Sequence, residues 1–198
     1  MRIFVALDID ESIRERIARF LDGVRSFAPD VRWVRPESLH VTLKFIGEKS
    51  DEDVERIKQG LSAVRAAAVS MTCGGYGFFP TAKSARVFWL GLEAGSGLAD
   101  LASIVDQSTA ALGVPREERP FSPHLTLARG AGGSGAPARH KGDRPNCVFQ
   151  LLQDKLAALP SVDFGTMTAR EFFLFQSQLG RGGSRYTKIA AYPLEAGH

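Results

Sequence analysis

The sequence predicts an α+β fold with two pseudo-symmetric lobes, in which antiparallel sheets face each other across a central cleft and helices lie outside. Three observations indicate this fold. Strand-like and helix-like segments alternate along the 198 residues. The tetrapeptide His40-Val41-Thr42-Leu43 returns 84 residues later as His124-Leu125-Thr126-Leu127. A helical pattern precedes each copy and strand-like segments flank it, as in an internal duplication.

The first half of the chain predicts strands separated by two helices. Residues 2–9 are rich in β-forming side chains, and apolar residues at helical spacing follow until Pro29. A short extended piece at residues 31–35 leads to a strand over residues 39–46, which carries the first tetrapeptide. Ser50 and the three acidic residues after it predict the start of a second helix, because carboxylates are favoured at a helix N-terminus.

The middle of the chain continues the alternation. Residues 69–79 predict a glycine-interrupted strand with a bulge or bend, and residues 85–92 predict a second strand. Apolar spacing predicts a third helix over about residues 97–112. The second tetrapeptide then opens a strand over residues 124–129.

The last third is less regular. Residues 148–159 fit either a helix or an irregular apolar segment, and two strands are predicted at Met167–Gln178 and Tyr186–Leu194. Residues 130–146 are rich in Gly, Ala and Pro and show no periodicity, so we expect a flexible loop there. We expect one bilobal domain over residues 1–198.

Composition limits the classes of function. The net charge is +3 and the pI about 9.0, which suits an anionic substrate but is too weak to predict an extended nucleic-acid groove. Cys73 and Cys147 form no metal, redox or disulfide motif, which favours a cytoplasmic setting. The apolar start of the chain is followed at once by acidic residues and is too short for a signal peptide or membrane span.

The two tetrapeptides carry the strongest functional signal. Side chains alternate between the two faces of a strand, so each His and the Thr two positions later project together while the aliphatic neighbours enter the core. By this alternation Val41, Leu43 and Phe45 face inward and Lys44 faces outward with Thr42. A single histidine on a strand is most often structural, but the repetition favours two imidazoles and two hydroxyls that surround one oxyanion.

The chain resembles the two-histidine (2H) phosphoesterase superfamily and, within it, the RNA 2′,3′-cyclic phosphodiesterases, also called 2′-5′ RNA ligases. The resemblance spans nearly the full length. It rests on five segments: Arg2-x-Phe4-x-Ala6, Leu39 to Glu48, Arg86-Val87-x-Trp89-Leu90-Gly91, Pro120 to Arg129, and Ser184-Arg185-Tyr186-Thr187.

The resemblance implies a monomeric hydrolase without metal or cofactor, which opens the 2′,3′-cyclic phosphate end of an RNA or oligonucleotide to a 2′-phosphomonoester. It implies that His40 donates a proton to the leaving 3′-oxygen and that His124 accepts a proton from the attacking water. Thr42 and Thr126 would hold the phosphate oxygens. Ligation through 2′-5′ bonds would be the reverse reaction.

Several positions remain open. Members of the family often have arginine where Arg129 stands, which implies a phosphate contact. Strand alternation places Arg129 on the opposite face from His124, so it reaches the phosphate only if the strand ends or bulges near Ala128. Arg185 and Tyr186 either close the cleft or lie in a solvated turn. Four aromatic residues suit either base stacking or the core, and none is assigned: Phe4, Trp33, Phe45 and Trp89.

Three rival functions stay in view. A metal hydrolase is disfavoured because neither tetrapeptide has Asp, Glu or Cys at ligand spacing. A protein that binds RNA ends without catalysis would keep the same cleft. A phosphodiesterase of the same chemistry with a different substrate, such as a 2′-5′ oligoadenylate or a cyclic nucleotide metabolite, would keep the same histidines.

Overall fold

The computed structural model describes residues 1–130, 146–180 and 183–196. Residues 131–145, nearly all of the predicted flexible loop, lie outside the described residues. The helices are α1 (Glu11–Val24), α2 (Asp51–Ser62), α3 (Gly97–Ala110) and α4 (Gln150–Ala157). The strands are β1 (Arg2–Leu7), β2 (Arg32–Trp33), β3 (Val41–Glu48), β4 (Val69–Phe79), β5 (Val87–Glu93), β6 (His124–Arg129), β7 (Asp163–Ala169), β8 (Glu171–Gly180) and β9 (Gly183–Pro193).

The strands form two antiparallel sheets, which confirms the predicted α+β class. The first sheet has the order β3-β1-β8-β9 and the second has the order β2-β6-β5-β4-β7. The first tetrapeptide leads into β3 and the second lies in β6, so each sheet receives one copy. β3 and β6 contact each other although they belong to different sheets. The two copies therefore meet where the sheets adjoin.

The helices pack on these sheets through apolar stripes. α1 buries Ile13, Ile17 and Leu21 at helical spacing and contacts β7, while α3 contacts β3 and β4. The side chain of Ser50 caps α2 by accepting a hydrogen bond from the backbone N–H of Asp53 at 3.1 Å, as the sequence predicts. In the described part of the chain, every helix is too short or too polar to span a bilayer.

One predicted strand is wrong. The segment Met167–Gln178 is not a single strand, because the chain passes at Arg170 from β7 in the second sheet to β8 in the first. β7 pairs with β4 and β8 pairs with β1. No glycine or proline marks the junction Ala169-Arg170-Glu171. Local pattern therefore gives no sign of the change of sheet, which is decided by distant pairing.

In the first sheet, β3 contains a bulge at the leucine of its tetrapeptide. Thr42 lies opposite Ala6 on β1, and Lys44 lies opposite Val5. Leu43 is therefore an extra residue without a partner across the ladder. An extra residue of this kind shifts the alternation of side chains by one position along the strand that carries it.

In the second sheet, β6 contains a bulge at the same point. Thr126 lies opposite Trp89 on β5, and Ala128 lies opposite Phe88. Leu127 is the extra residue here, and it is buried together with Ala128. The last leucine of each tetrapeptide therefore has the same structural role in both lobes.

The bulges change which side chains face the cleft. The fifth residue after each histidine returns to the histidine's side of the sheet, so Phe45 and Arg129 occupy equivalent places. The predicted inward position of Phe45 is wrong, because this side chain is 58% exposed. Lys44, predicted to face outward, is buried instead. A simple period of two cannot reveal either change.

The buried Lys44 ties the first sheet to the segment that precedes β6. Its ammonium group donates hydrogen bonds to the carboxylate of Asp106 on α3 and, at 2.7 Å, to the carbonyl oxygen of Pro115. The same carboxylate accepts hydrogen bonds from Arg116 Nε at 2.9 Å and from the backbone N–H of Glu117 at 3.0 Å. This network fixes the start of the segment that leads to His124.

Replacement of Lys44 by Met should lower the free energy of unfolding by about 2–3 kcal/mol, because it leaves a buried carboxylate and a carbonyl short of a donor. Urea unfolding measures the change. Lys58→Met is the matched control, since Lys58 pairs with Glu55 on the surface of α2 and should cost under about 0.5 kcal/mol. Equal losses for the two variants would contradict the role of the network.

Candidate active site

Each histidine is held by the same backbone contact. The imidazole Nδ1 of His40 lies 2.8 Å from the carbonyl oxygen of Ser38, and Nδ1 of His124 lies 2.8 Å from that of Ser122. A carbonyl oxygen only accepts hydrogen bonds, so Nδ1 carries a proton and donates in both rings. Nε2 is therefore the nitrogen free to exchange a proton in both cases.

These two serines were missed in the sequence, although the signal was present. Ser38 and Ser122 both stand two positions before a histidine, so the duplicated phrase is longer than the tetrapeptide and begins with serine. The contact uses the serine carbonyl rather than its hydroxyl. Backbone geometry at that position, rather than side-chain chemistry, orients the rings.

His40 lies on an aromatic floor. Its ring centroid is 4.8 Å from that of Phe4 and 6.1 Å from that of Phe175, and Tyr186 stands edge-on at 4.9 Å. Phe4, Ala6 and Phe175 form a small apolar cluster separate from the main core. The sequence left the roles of Phe4 and Tyr186 open. In the structure both rings contact His40 directly.

Burial against this floor changes the proton affinity of His40. The pKa of His40 is lowered from 6.5 to about 4, chiefly by desolvation on burial and also by the positive charges of Arg129 and His124. The Ser38 carbonyl and the Asp8 carboxylate act in the opposite direction. His40 is therefore neutral near pH 7.

His124 has a similar but more open setting. Phe79 stands edge-on to its ring at 5.1 Å, and the Trp89 ring lies 6.4 Å away. Burial lowers the pKa of His124, and the charge of Arg129 adds to this effect. Trp89 therefore faces the cleft beside the second histidine, whereas Trp33 packs edge-on against Phe88 at 6.1 Å, at the margin of the main core.

Arg129 is brought to the histidines by the bulge at Leu127. It lines the same groove as His40, and its charge lowers the pKa of both imidazoles. Its Nη1 atom is buried and has no hydrogen-bond partner among the described residues. An arginine stays charged even when burial lowers its pKa, so this group is a fixed cation with an unused donor.

The remaining predicted residues lie as follows. Thr42 and Thr126 are half-buried on the strands that carry the histidines, and each lies opposite a cleft-side residue, Ala6 and Trp89 respectively. Arg185 is exposed, lies opposite Gln178 in the β8–β9 ladder, and its side chain makes no hydrogen bond or ion pair to the described residues. The charge of Arg129 therefore acts on both His40 and His124, and the two threonines lie on the strands next to these histidines.

Comparison with known proteins decides the family. The model of the LigT-like phosphoesterase family matches the chain twice, over residues 7–89 and 90–186. The chain belongs to the LigT-like phosphoesterase family. Each match contains one tetrapeptide, which agrees with the internal duplication. The sheets do not follow this division, because β4 lies in the first match but pairs within the second sheet, and β5 spans the boundary between the two matches.

Individual relatives of this phosphoesterase agree along nearly their whole length. The chain is 34% identical to the RNA 2′,3′-cyclic phosphodiesterase of Archaeoglobus fulgidus, over 97% of this chain and 99% of that protein. It is 32% identical to the enzyme of the same name from Methanothermobacter thermautotrophicus, over 98% and 99%. The crystal structure of Escherichia coli LigT complexed with 3′-AMP matches with a TM-score of 0.74 and 28% identity, over 98% and 97%.

A groove of about 480 Å³ opens beside His40. Arg129 and Tyr186 line it together with Phe45 and Leu179. This volume falls in the range of small-molecule and nucleotide sites. Within the described residues, no group of three or more His, Cys, Asp or Glu side chains is arranged to hold a metal ion.

Replacement of His40 by Gln should flatten the dependence of stability on pH. An unfolded histidine has a pKa of about 6.5, and folded His40 has a pKa of about 4. Below about pH 6.5 the unfolded chain takes up a proton that the folded protein does not bind, so the wild type loses stability as the pH falls toward 4. Between pH 7 and pH 5 the variant should lose about 1–2 kcal/mol less than the wild type.

Urea unfolding at the two pH values measures this difference. Between pH 8 and pH 7 the histidine is neutral in the folded state and nearly so in the unfolded state, so the two proteins should change alike. Equal losses between pH 7 and pH 5 would contradict the lowered pKa of His40.

Proposed function

We propose that this protein is an RNA 2′,3′-cyclic phosphodiesterase that opens the cyclic phosphate end of RNA to a 2′-phosphomonoester. One observation carries the proposal: two imidazoles, each oriented by the same carbonyl contact, come from two different lobes, and the charge of Arg129, whose buried Nη1 atom lacks a partner among the described residues, acts on both. The names of the relatives from Archaeoglobus fulgidus and Methanothermobacter thermautotrophicus support the choice of substrate.

The arrangement suits in-line attack on phosphorus. The attacking water and the leaving 3′-oxygen must lie on opposite sides of the phosphate, so a base and an acid must flank it. We assign His124 Nε2 as the base that takes a proton from water while the new P–O bond forms. His40 Nε2 gives a proton to the 3′-oxygen as its bond to phosphorus breaks. Each positioned proton transfer typically contributes ~10²–10⁴-fold to the rate.

The charge of the phosphate is met by three further groups. Arg129 supplies the fixed cation and a free donor for the non-bridging oxygens, which carry more negative charge in the transition state. The hydroxyls of Thr42 and Thr126 lie on the adjoining strands and are assigned as additional donors. Because these groups are held by strands rather than loops, little rearrangement is needed as the charge develops.

The pKa values of the two histidines bear on the order of proton transfer. Burial lowers the pKa of His40 to about 4 and also lowers that of His124, so both rings are weak bases before substrate binds. A bound phosphodiester offsets the charge of Arg129 and so raises the pKa of His40, which lets this ring carry the proton that the leaving oxygen needs. Substrate binding thus prepares the acid.

His40→Ala and His124→Ala should each lower the hydrolysis of a short RNA ending in a 2′,3′-cyclic phosphate by at least ~10²-fold while the fold persists. The assay follows conversion to the 2′-phosphate, with 3′-phosphate separated from it, in the presence of EDTA. Lys58→Met is the remote control. Retention of near wild-type turnover by either alanine variant would disprove the assignment, and loss of wild-type activity in EDTA would favour a metal hydrolase.

The dependence of kcat/KM on pH should be bell-shaped, with both limbs below about pH 6.5, because kcat/KM reports the pKa values of the free enzyme. Arg129→Met removes a positive charge that lowers both pKa values, so both limbs should move to higher pH. The maximum should fall by roughly 10²-fold through loss of the phosphate contact. Arg56→Met on the surface of α2 is the matched control. If both limbs of the pH profile stayed in place in Arg129→Met, the effect of this arginine on the pKa values of the histidines would be contradicted.

A further inference from the structure

The groove beside His40 extends well beyond the space that one phosphate requires. Besides His40, its lining includes Phe4, Phe45 and Leu179 from the first sheet. Residues 32–35, which include β2 of the second sheet, form part of its lining. The proposed phosphate chemistry uses only His40 and Arg129 of this lining. The other lining residues have no assigned role in that reaction.

The lining of this groove is strongly cationic. None of the described residues that line it is acidic, and four are arginines: Arg2, Arg32, Arg35 and Arg129. Across the described ranges, none of the first three makes an ion pair or a side-chain hydrogen bond. A second cavity of about 420 Å³ on the other side of His40 is lined instead by Asp8, Glu37 and Lys188. A polyanion that reaches His40 therefore has a favourable path through the first groove.

Two of these arginines lie directly opposite each other. Arg32 on β2 pairs in register with Arg129 on β6, and the charge of Arg32 lowers the pKa of Arg129. Like charges at opposite positions of neighbouring strands are destabilising. A bound chain of phosphates would relieve this repulsion at both positions at once.

The lining of the groove also contains an aromatic surface. Phe45 is 58% exposed, and its ring lies 6.0 Å from Phe4, which in turn contacts His40. Leu179, 81% exposed, lines the same groove. Phe45 occupies the place in the first lobe that Arg129 occupies in the second. The duplicated bulge thus turns a cation toward the phosphate from one sheet and an exposed ring toward the groove from the other.

We propose that this groove binds the RNA strand 5′ to the cyclic phosphate, with a base stacked on Phe45 and the preceding phosphodiester held by Arg2, Arg32 and Arg35. Single strands are commonly bound by aromatic platforms beside basic grooves. This inference rests on the proposed function. It makes the enzyme specific for oligonucleotide ends over mononucleotides, because a nucleoside 2′,3′-cyclic phosphate has no preceding phosphodiester.

The test compares kcat/KM for a trinucleotide ending in a 2′,3′-cyclic phosphate with kcat/KM for a nucleoside 2′,3′-cyclic phosphate. The wild type should prefer the trinucleotide by about 10-fold or more. The double variant Arg32→Met/Arg35→Met should bring this ratio toward one and reduce the salt dependence of the trinucleotide reaction, because fewer counterions are released on binding. A wild-type ratio near one, or a ratio and salt dependence unchanged in the double variant, would overturn the proposal.

Phe45 is tested by a matched series. Phe45→Ala should lower kcat/KM for the trinucleotide by about 10-fold, whereas Phe45→Trp, which keeps a stacking surface, should stay close to the wild type. Leu151→Ala, at another exposed apolar position, is the control and should change neither substrate. Wild-type kcat/KM in Phe45→Ala, or equal loss in Phe45→Trp, would remove Phe45 from the subsite.

Binding separates failure of this inference from failure of the proposed function. A labelled trinucleotide ending in a 3′-phosphate reports affinity by fluorescence anisotropy without turnover. Weaker binding to Arg32→Met/Arg35→Met than to the wild type would support the strand subsite even if no cyclic phosphate were hydrolysed. Equal binding by both proteins would contradict the subsite, whatever the activity.

Discussion

The contact between β3 and β6 is the constraint on which the rest of the site depends. In-line displacement at phosphorus needs proton-transfer groups on opposite sides, and neighbouring side chains of a single strand cannot provide them. Two sheets that adjoin along these strands can do so. The Lys44–Asp106 network then holds the segment before β6, and the carbonyl groups of Ser38 and Ser122 orient the two imidazole rings. Burial is the largest of the effects that lower the proton affinity of the imidazoles.

The fold class and the candidate histidines were accessible from the sequence for a physical reason. Strand alternation and helical spacing are local signals, and duplication of a phrase makes two weak local signals into one strong one. The cap at Ser50 is local as well and forms as predicted. The totals of charge were less informative, because a net charge of +3 does not reveal that Arg2, Arg32, Arg35 and Arg129 line one groove.

The features that the sequence did not reveal depend on pairing between distant strands. The bulges at Leu43 and Leu127 are defined by their partners on β1 and β5, so alternation alone misplaced Phe45 and Lys44. The change of sheet at Arg170 likewise lacks a turn residue. Arg129 illustrates this limit. The sequence predicted that Arg129 would face the phosphate only if the strand ended or bulged near Ala128, and the structure has a bulge one residue earlier, at Leu127.

The central claim is that one histidine acts as acid and the other as base around a single phosphate. A 3′-deoxynucleoside 2′-(4-nitrophenyl phosphate) tests it most directly, because its aryl oxygen takes the place of the leaving 3′-oxygen and departs without a proton. Hydrolysis of this ester should be restored in His40→Ala and should stay low in His124→Ala. Restoration in His124→Ala alone would exchange the roles. Restoration of both variants, or of neither, would contradict an acid and base pair.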